Sequence, residues 1–251
     1  MLTMTIHITI LTGASRGMGH AMAEQLLGMG HQLLCISRQE NTQFAQHPLC
    51  TQWALDLQDS ASVAAKLHSW LAAQKTAGLE SVNLINNAGV VAAIAPLSGV
   101  QASDINIALR VGLEAPMQLT AAFLRATEKW QTKKRVLNIS SGLGRRAMAS
   151  QTGYCAAKAG MDHFTRCLAL EEALKPHGAQ VCSLAPGVID TDMQVQLRSA
   201  DAALFPDRAA FEGMKIQGVL TSVHDAASRI LDYLLRKDFG SNPVADVRDV
   251  A

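Results

Sequence analysis

The sequence is poor in aromatic residues: Phe, Trp and Tyr make up 4% of 251 residues, and only Tyr154 and Tyr233 are tyrosines. It also lacks an excess of either charge, with 22 Lys and Arg against 21 Asp and Glu, so no electrostatic footprint for a polyanion exists and nucleic acid is not an expected partner. Cysteines are few, odd in number and scattered (Cys35, Cys50, Cys155, Cys167, Cys182), with no C-x-x-C pair. A disulfide framework and structural zinc are therefore unsupported; core thiols in a reducing cytoplasm are the expectation. No uninterrupted apolar run reaches the ~18 residues of a membrane span, so no membrane association is expected. The start, MLTMTIHITILTG, has neither a basic region nor a small-residue cleavage site, and reads as a first strand rather than a secretory signal. What is present is a hydrophobic share of 49% beside 17% charged residues, enough for one α/β domain over 1–251 with a sizeable core.

Short β-rich apolar runs alternate with helical patterns. Strands are expected at Ile6–Leu11, Gln32–Ser37, Gln52–Leu55, Val82–Ile85, Arg135–Ser140 and Gln180–Leu184, with Val244–Val247 as a possible edge. Helices are expected near Met18–Met29, Ser60–Lys75, Thr152–Leu174 and His224–Arg236, and a long helical stretch before Arg135 is interrupted near Gly112. This alternation predicts a single-domain, doubly wound parallel sheet with helices on both faces. The stretch Asp192–Ser222 breaks it and reads as a mobile cover over a pocket. Leu143, Met148, Met193, Phe205, Phe211 and Met214 are candidate pocket liners, against the ordinary alternative of core packing.

Thr12-Gly13-Ala14-Ser15-Arg16-Gly17-Met18-Gly19 follows the first strand and opens the first helix. Glycines allow a tight turn and close approach of a ligand, and the helix N-terminus offers free N–H groups to a pyrophosphate. The spacing, G-x-x-x-G-x-G, differs from the commonest dinucleotide fingerprint. GASRG also fits the G-x-S-x-G elbow of serine hydrolases, but it sits after the first strand with no Asp–His arrangement behind it. The second strand ends Ser37-Arg38 with no carboxylate for ribose hydroxyls, and Arg16 projects from the glycine turn. Two guanidiniums suit a 2′-phosphate, so NADP is the expected cofactor.

Tyr154 and Lys158 share a helix face in YCAAK, and Ser141 ends the fifth strand thirteen residues earlier. A phenol beside an ammonium can pass a proton to a carbonyl oxygen that a hydroxyl holds.

These motifs in this order resemble the short-chain dehydrogenase/reductase family over essentially the whole chain: TGASRGMG (12–19), Asp56-Leu57, NNAG (86–89), Ser141 with YCAAK (154–158), and Pro186-Gly187 with Thr191. The resemblance implies Tyr154 as acid/base, Ser141 orienting the carbonyl, and Lys158 holding the nicotinamide ribose and lowering the tyrosine pKa. It implies cofactor contacts from Gly13, Ser15, Arg16, Gly17, Met18, Gly19, Arg38, Asp56 and Leu57. Asn87, Ala88, Gly89, Tyr154, Lys158, Pro186, Gly187, Val188 and Thr191 complete that set. Within the family, LINNAGV, VLNISSG, GYCAAKAGMD, LAPGVIDTDMQ and VADVRD are most similar to the sepiapterin and bacterial benzil reductase group. That implies NADPH-dependent reduction of a small-molecule carbonyl, often one ketone of a vicinal diketone. Asp249 could anchor a substrate ring or simply be solvated.

One position departs from the family. Many members carry Asn where Val111-Gly112-Leu113 has Gly, and Asn supports a water-linked proton path to the lysine. Gly112→Asn is accordingly expected to keep cofactor binding and leave turnover unchanged or raised. A 3-oxoacyl thioester reductase or other short-chain alcohol dehydrogenase remains an alternative, as does a non-catalytic NADP-binding regulator. The resemblance further implies a homodimer or homotetramer associating through the long helices.

Overall fold

Aliphatic and β-branched runs form β1 (Ile6–Thr12), β2 (Gln32–Ser37), β3 (Cys50–Ala54), β4 (Leu79–Asn86), β5 (Lys133–Ile139), β6 (Gln180–Ala185) and β7 (Val244–Asp246). The structure, a computed structural model, describes residues 5–249; residues 1–4 and 250–251, which the single-domain reading includes, lie outside the described residues. The seven strands make one parallel sheet in the order β3-β2-β1-β4-β5-β6-β7. Both faces are covered, which is why most strands are continuously apolar rather than alternating. Ile8, Ile10, Leu34, Ile36, Val82, Leu84 and Val136 face α2 (Ser60–Ala72), α4 (Ala115–Thr127) and α5 (Thr152–Ala173). Leu11, Leu33, Ile85, Leu137 and Leu184 face α1 (Gly17–Gly28) and α8 (Val223–Leu235). Fully buried side chains such as Leu67 and Phe123 each contribute roughly 1.5–3 kcal/mol.

Strand order runs outward from β1 to β3 and then restarts with β4 on the other side of β1. The carboxyl ends of β1 and β4 thus flank the point where the chain changes direction, the place for a ligand crevice in such sheets. Helix α1 stops where His31 N–H donates to Leu26 carbonyl and Gly30 N–H to Leu27 carbonyl, which turns the chain into β2 at the expected residue.

The interruption near Gly112 is a π-helical turn, Arg110–Glu114, joining α3 (Ala102–Leu109) to α4; Ala115 N–H reaches back to Arg110 carbonyl. The stretch Ala102–Thr127 is long and apolar enough by composition to cross a membrane, yet half of it is buried here as a core helix. The expected cover, Asp192–Ser222, contains α6 (Asp192–Arg198) and α7 (Arg208–Ile216). Its two ends meet where Thr221 N–H donates to Val188 carbonyl and Asp190 N–H to Thr221 carbonyl. Phe205, Phe211 and Leu197 form its own small core, with Met148, Met193 and Met214 against it. The two phenylalanines are therefore packing residues and not pocket liners: both are buried, and their rings lie tilted against one another at 5.6 Å between centroids. The thiols also divide: Cys35 and Cys182 are buried as expected, whereas Cys167 is exposed.

Candidate active site

The glycine turn needs its glycines. Gly13 has φ +71° and Gly17 φ +55°, and a Cβ on Gly19 would fall 2.0 Å from the Gly13 carbonyl oxygen. The turn is pinned across the sheet by Asn87, whose Nδ2 donates to the Thr12 (2.9 Å) and Gly13 (3.2 Å) carbonyls. Thr12 Oγ1 in return accepts from the N–H groups of Asn87 and Ala88, each at 3.0 Å. Asn87 and Thr12 thus lock the end of β4 to the end of β1; Thr12 was legible only as part of the motif.

Next to this turn, Ser37 at the end of β2 is buried, and its Oγ has no hydrogen-bond partner. Arg38 follows it, exposed, and Arg16 reaches Asp192 of α6 at 3.1 Å, with both side chains about 70% exposed. A turn that admits only glycine, a helix N-terminus and an unpaired hydroxyl at the next strand end fit a nicotinamide dinucleotide. Ser15 lies in the glycine turn, Met18 in the first turn of α1 and Gly89 in the loop after β4. Asp56 is exposed and caps its own turn, accepting from Gln58 N–H at 2.9 Å, while the Leu57 side chain enters the core. Pro186, Gly187, Val188 and Thr191 follow β6, with Thr191 preceding α6.

Helix α5 meets β5 residue by residue. Thr165 Oγ1 accepts from Asn138 Nδ2 (2.9 Å), and Asp162 Oδ1 accepts from Ser140 Oγ (2.6 Å) and Ser183 Oγ (2.7 Å). One turn earlier, Lys158 Nζ donates to Ile139 carbonyl at 2.7 Å, and Tyr154 lies against the Ser141 hydroxyl. This polar stripe, at intervals of three and four residues, holds the helix to the strand in one register. Asn86 continues it across the sheet, donating to Asn138 Oδ1 at 2.8 Å. Of these, Asn86, Asn138, Ser140 and Asp162 carried signals only as members of NNAG, NISS and GMD.

Burial pushes the Tyr154 phenol above its ordinary pKa, and the Ser141 hydroxyl partly opposes that. Burial lowers Lys158 to about 8, with Asp162 partly restoring it. The Lys158 ammonium lies 5.7 Å from the Tyr154 ring centroid. Arg145 Nε stands 3.5 Å from Asp162 Oδ2 and so turns toward the buried carboxylate. Asp249 accepts from Asp246 N–H at 3.0 Å, closing a turn after β7. Gly112 is buried against Ala157, and a Cβ there would lie 3.1 Å from the Ala157 Cβ. An Asn side chain there would press on Ala157.

A model described as short chain dehydrogenase matches residues 7–202. The chain is 35% identical to a benzil reductase, (S)-benzoin forming, of Bacillus cereus, over 94% of this chain and 96% of that one. It is 30% identical to the sepiapterin reductase of Rattus norvegicus, with 97% of each covered. Among solved structures, a short-chain dehydrogenase/reductase from Burkholderia vietnamiensis shares 33% identity at a TM-score of 0.64, covering 97% of this chain and 99% of that one. The motifs, the parallel sheet and these relatives together place the chain in the short-chain dehydrogenase/reductase family, whose members are oxidoreductases that bind a nicotinamide cofactor.

Proposed function

We propose that the protein is an NADPH-dependent carbonyl reductase acting on flat vicinal diketones. The observation that carries this reading is the meeting of Ser141, Tyr154 and Lys158 at the carboxyl end of β5, on the same edge of the sheet as the glycine turn. The 35% identity to a benzil reductase supports the substrate class.

In this reading Gly13, Gly17 and Gly19 admit the pyrophosphate, Arg16 and Arg38 meet the 2′-phosphate, and Lys158 holds the nicotinamide ribose. A nicotinamide held there would supply the hydride for the carbonyl carbon. Ser141 donates a hydrogen bond to the carbonyl oxygen, and Tyr154 gives that oxygen its phenolic proton. The raised pKa of the phenol keeps that proton available at neutral pH. The Lys158 ammonium then stabilises the phenolate left behind.

A homodimer or homotetramer belongs to the same proposal, supported by Met117 of α4 and Leu170 of α5, which expose apolar surface. So does a cytoplasmic setting, which five free thiols fit.

The test is NADPH oxidation, followed at the nicotinamide absorbance band, with an aromatic 1,2-diketone, sepiapterin and an acetoacetyl thioester, repeated with NADH. The expected result is fastest turnover of the diketone and a preference for NADPH of about tenfold or more, the worth of one charged phosphate contact. Preference for the thioester or for NADH contradicts the proposal.

A further inference from the structure

Beside Tyr154 lies a narrow crevice, with a cavity volume of about 20 Å³, between the loop after β4 and the loop before α5. Its walls are mostly alanine and aliphatic, including Ala92, Ala93, Ile105 and Ala108. None of the six liners expected from the sequence is among them. One polar side chain in this wall stands apart. Gln151, one helical turn before Tyr154, is only 3% exposed, and its amide nitrogen has no hydrogen-bond partner.

A buried amide without a partner costs about 1–3 kcal/mol, and such groups persist where a ligand completes them. The backbone around Gln151 shows the same investment. Ser150, just before it, is the one non-glycine residue with a left-handed backbone among the described residues, at φ +62°. Its hydroxyl donates to Leu204 carbonyl, which fastens this loop to the cover segment. The Gln151 carbonyl accepts from Cys155 N–H at 2.8 Å and starts α5. The residue is therefore held at both ends, with its amide against the crevice and Tyr154 one turn away.

We infer that Gln151 is a specificity-determining residue, whose amide donates a hydrogen bond to the second carbonyl oxygen of a 1,2-diketone while Ser141 and Tyr154 take the first. This rests on the diketone reading above and adds to it a reason why a diketone exceeds a simple ketone. A vicinal diketone carries two acceptors on adjacent carbons, and Gln151 lines the same crevice as Tyr154, three residues before it. A monoketone leaves the amide unpaired and loses that contribution.

The experiment compares the parent enzyme with Gln151→Leu, which keeps approximate size and removes the donor. Benzil and the matched monoketone deoxybenzoin are assayed with NADPH, and thermal unfolding monitors the fold. The expected result is that the ratio of kcat/KM for benzil to that for deoxybenzoin falls about tenfold, as loss of one neutral hydrogen bond allows. With the unsymmetrical 1-phenyl-1,2-propanedione, the ratio of the two hydroxyketone products shifts as well. An unchanged ratio, or equal loss on both ketones, overturns the inference and leaves the diketone reading standing. A Gln151→Leu chain that fails to fold is replaced by Gln151→Glu, which retains the acceptors and removes the donors at neutral pH, with the same ratios expected. A parent enzyme that reduces no 1,2-diketone overturns the diketone reading and this inference with it.

Discussion

Burial acts in opposite directions on the two titratable groups of the site, raising the Tyr154 phenol and lowering the Lys158 ammonium to about 8. Both shifts favour the neutral form. For reduction, the phenol must hold its proton and the ammonium its charge, so both requirements fail on the alkaline side, and the lysine fails first. The expected pH profile of kcat/KM for diketone reduction is flat near neutrality and falls as pH rises through about 8. A profile that stays flat beyond pH 10 would show that the lysine charge is not needed. At this scale the sequence was informative where chemistry follows spacing: Tyr154 and Lys158 sit four apart on one helix, and Ser141 ends a strand. It was silent on Gln151, since an unpaired amide exists only once distant loops have met. Asp249 was ambiguous for the same reason, and the structure gives its carboxylate a local turn to close.

Elements show a similar division. The strands begin and end close to expectation because glycine turns and continuous apolar runs are local signals; β2, for instance, spans Gln32–Ser37 as read. The interruption at Gly112 was visible as a defect in a helical pattern, but its form was not. A π-turn there brings the helix backbone against Ala157, the residue before Lys158. The absence of a side chain at 112 thus lets α5 pack closely, since a Cβ there would meet the Ala157 Cβ at 3.1 Å. Gly112→Asn is expected to lower the melting temperature by several degrees, the scale of overpacking a core by 1–3 kcal/mol. It is also expected to slow turnover, because a displaced Ala157 would carry the adjacent Lys158 with it. Thermal unfolding and steady-state kinetics of the variant check both; parent stability with parent turnover would show that Ala157 yields freely. The aromatic pair Phe205 and Phe211 misled for the reverse reason: composition could not tell a pocket wall from the core of a small helical cover.

The whole molecule is polarised along its strands, with the candidate site at the carboxyl ends and a different polar cluster at the other. There Thr9 Oγ1 and His31 Nδ1 lie 2.8 Å apart, Asn83 Nδ2 donates to Thr9 Oγ1, and the His7 and His31 rings stack at 5.0 Å. Burial, reinforced by His7, lowers His31 to about 4 from an ordinary 6.5. The unfolded chain therefore binds the proton more tightly than the folded one, and stability present above pH 6.5 is lost as pH falls toward 4. Unfolding free energy from urea titration is expected to be about 2 kcal/mol lower at pH 5 than at pH 7, with His31→Gln removing most of that difference. Equal pH dependence in the variant would assign the effect to other groups. None of this cluster touches the site, so its titration is an independent property of the fold.

The central claim is that Tyr154 is the proton donor in a nicotinamide-dependent carbonyl reduction. The most direct test is the Tyr154→Phe variant, measured twice: NADPH affinity by fluorescence titration and diketone turnover by absorbance. Removing a general acid costs about 10²–10⁴-fold in rate, while the ring and its packing remain. The account predicts a loss in kcat of that size with the NADPH Kd within about threefold of the parent, since one neutral hydrogen bond at most is removed. Turnover at the parent rate would contradict it.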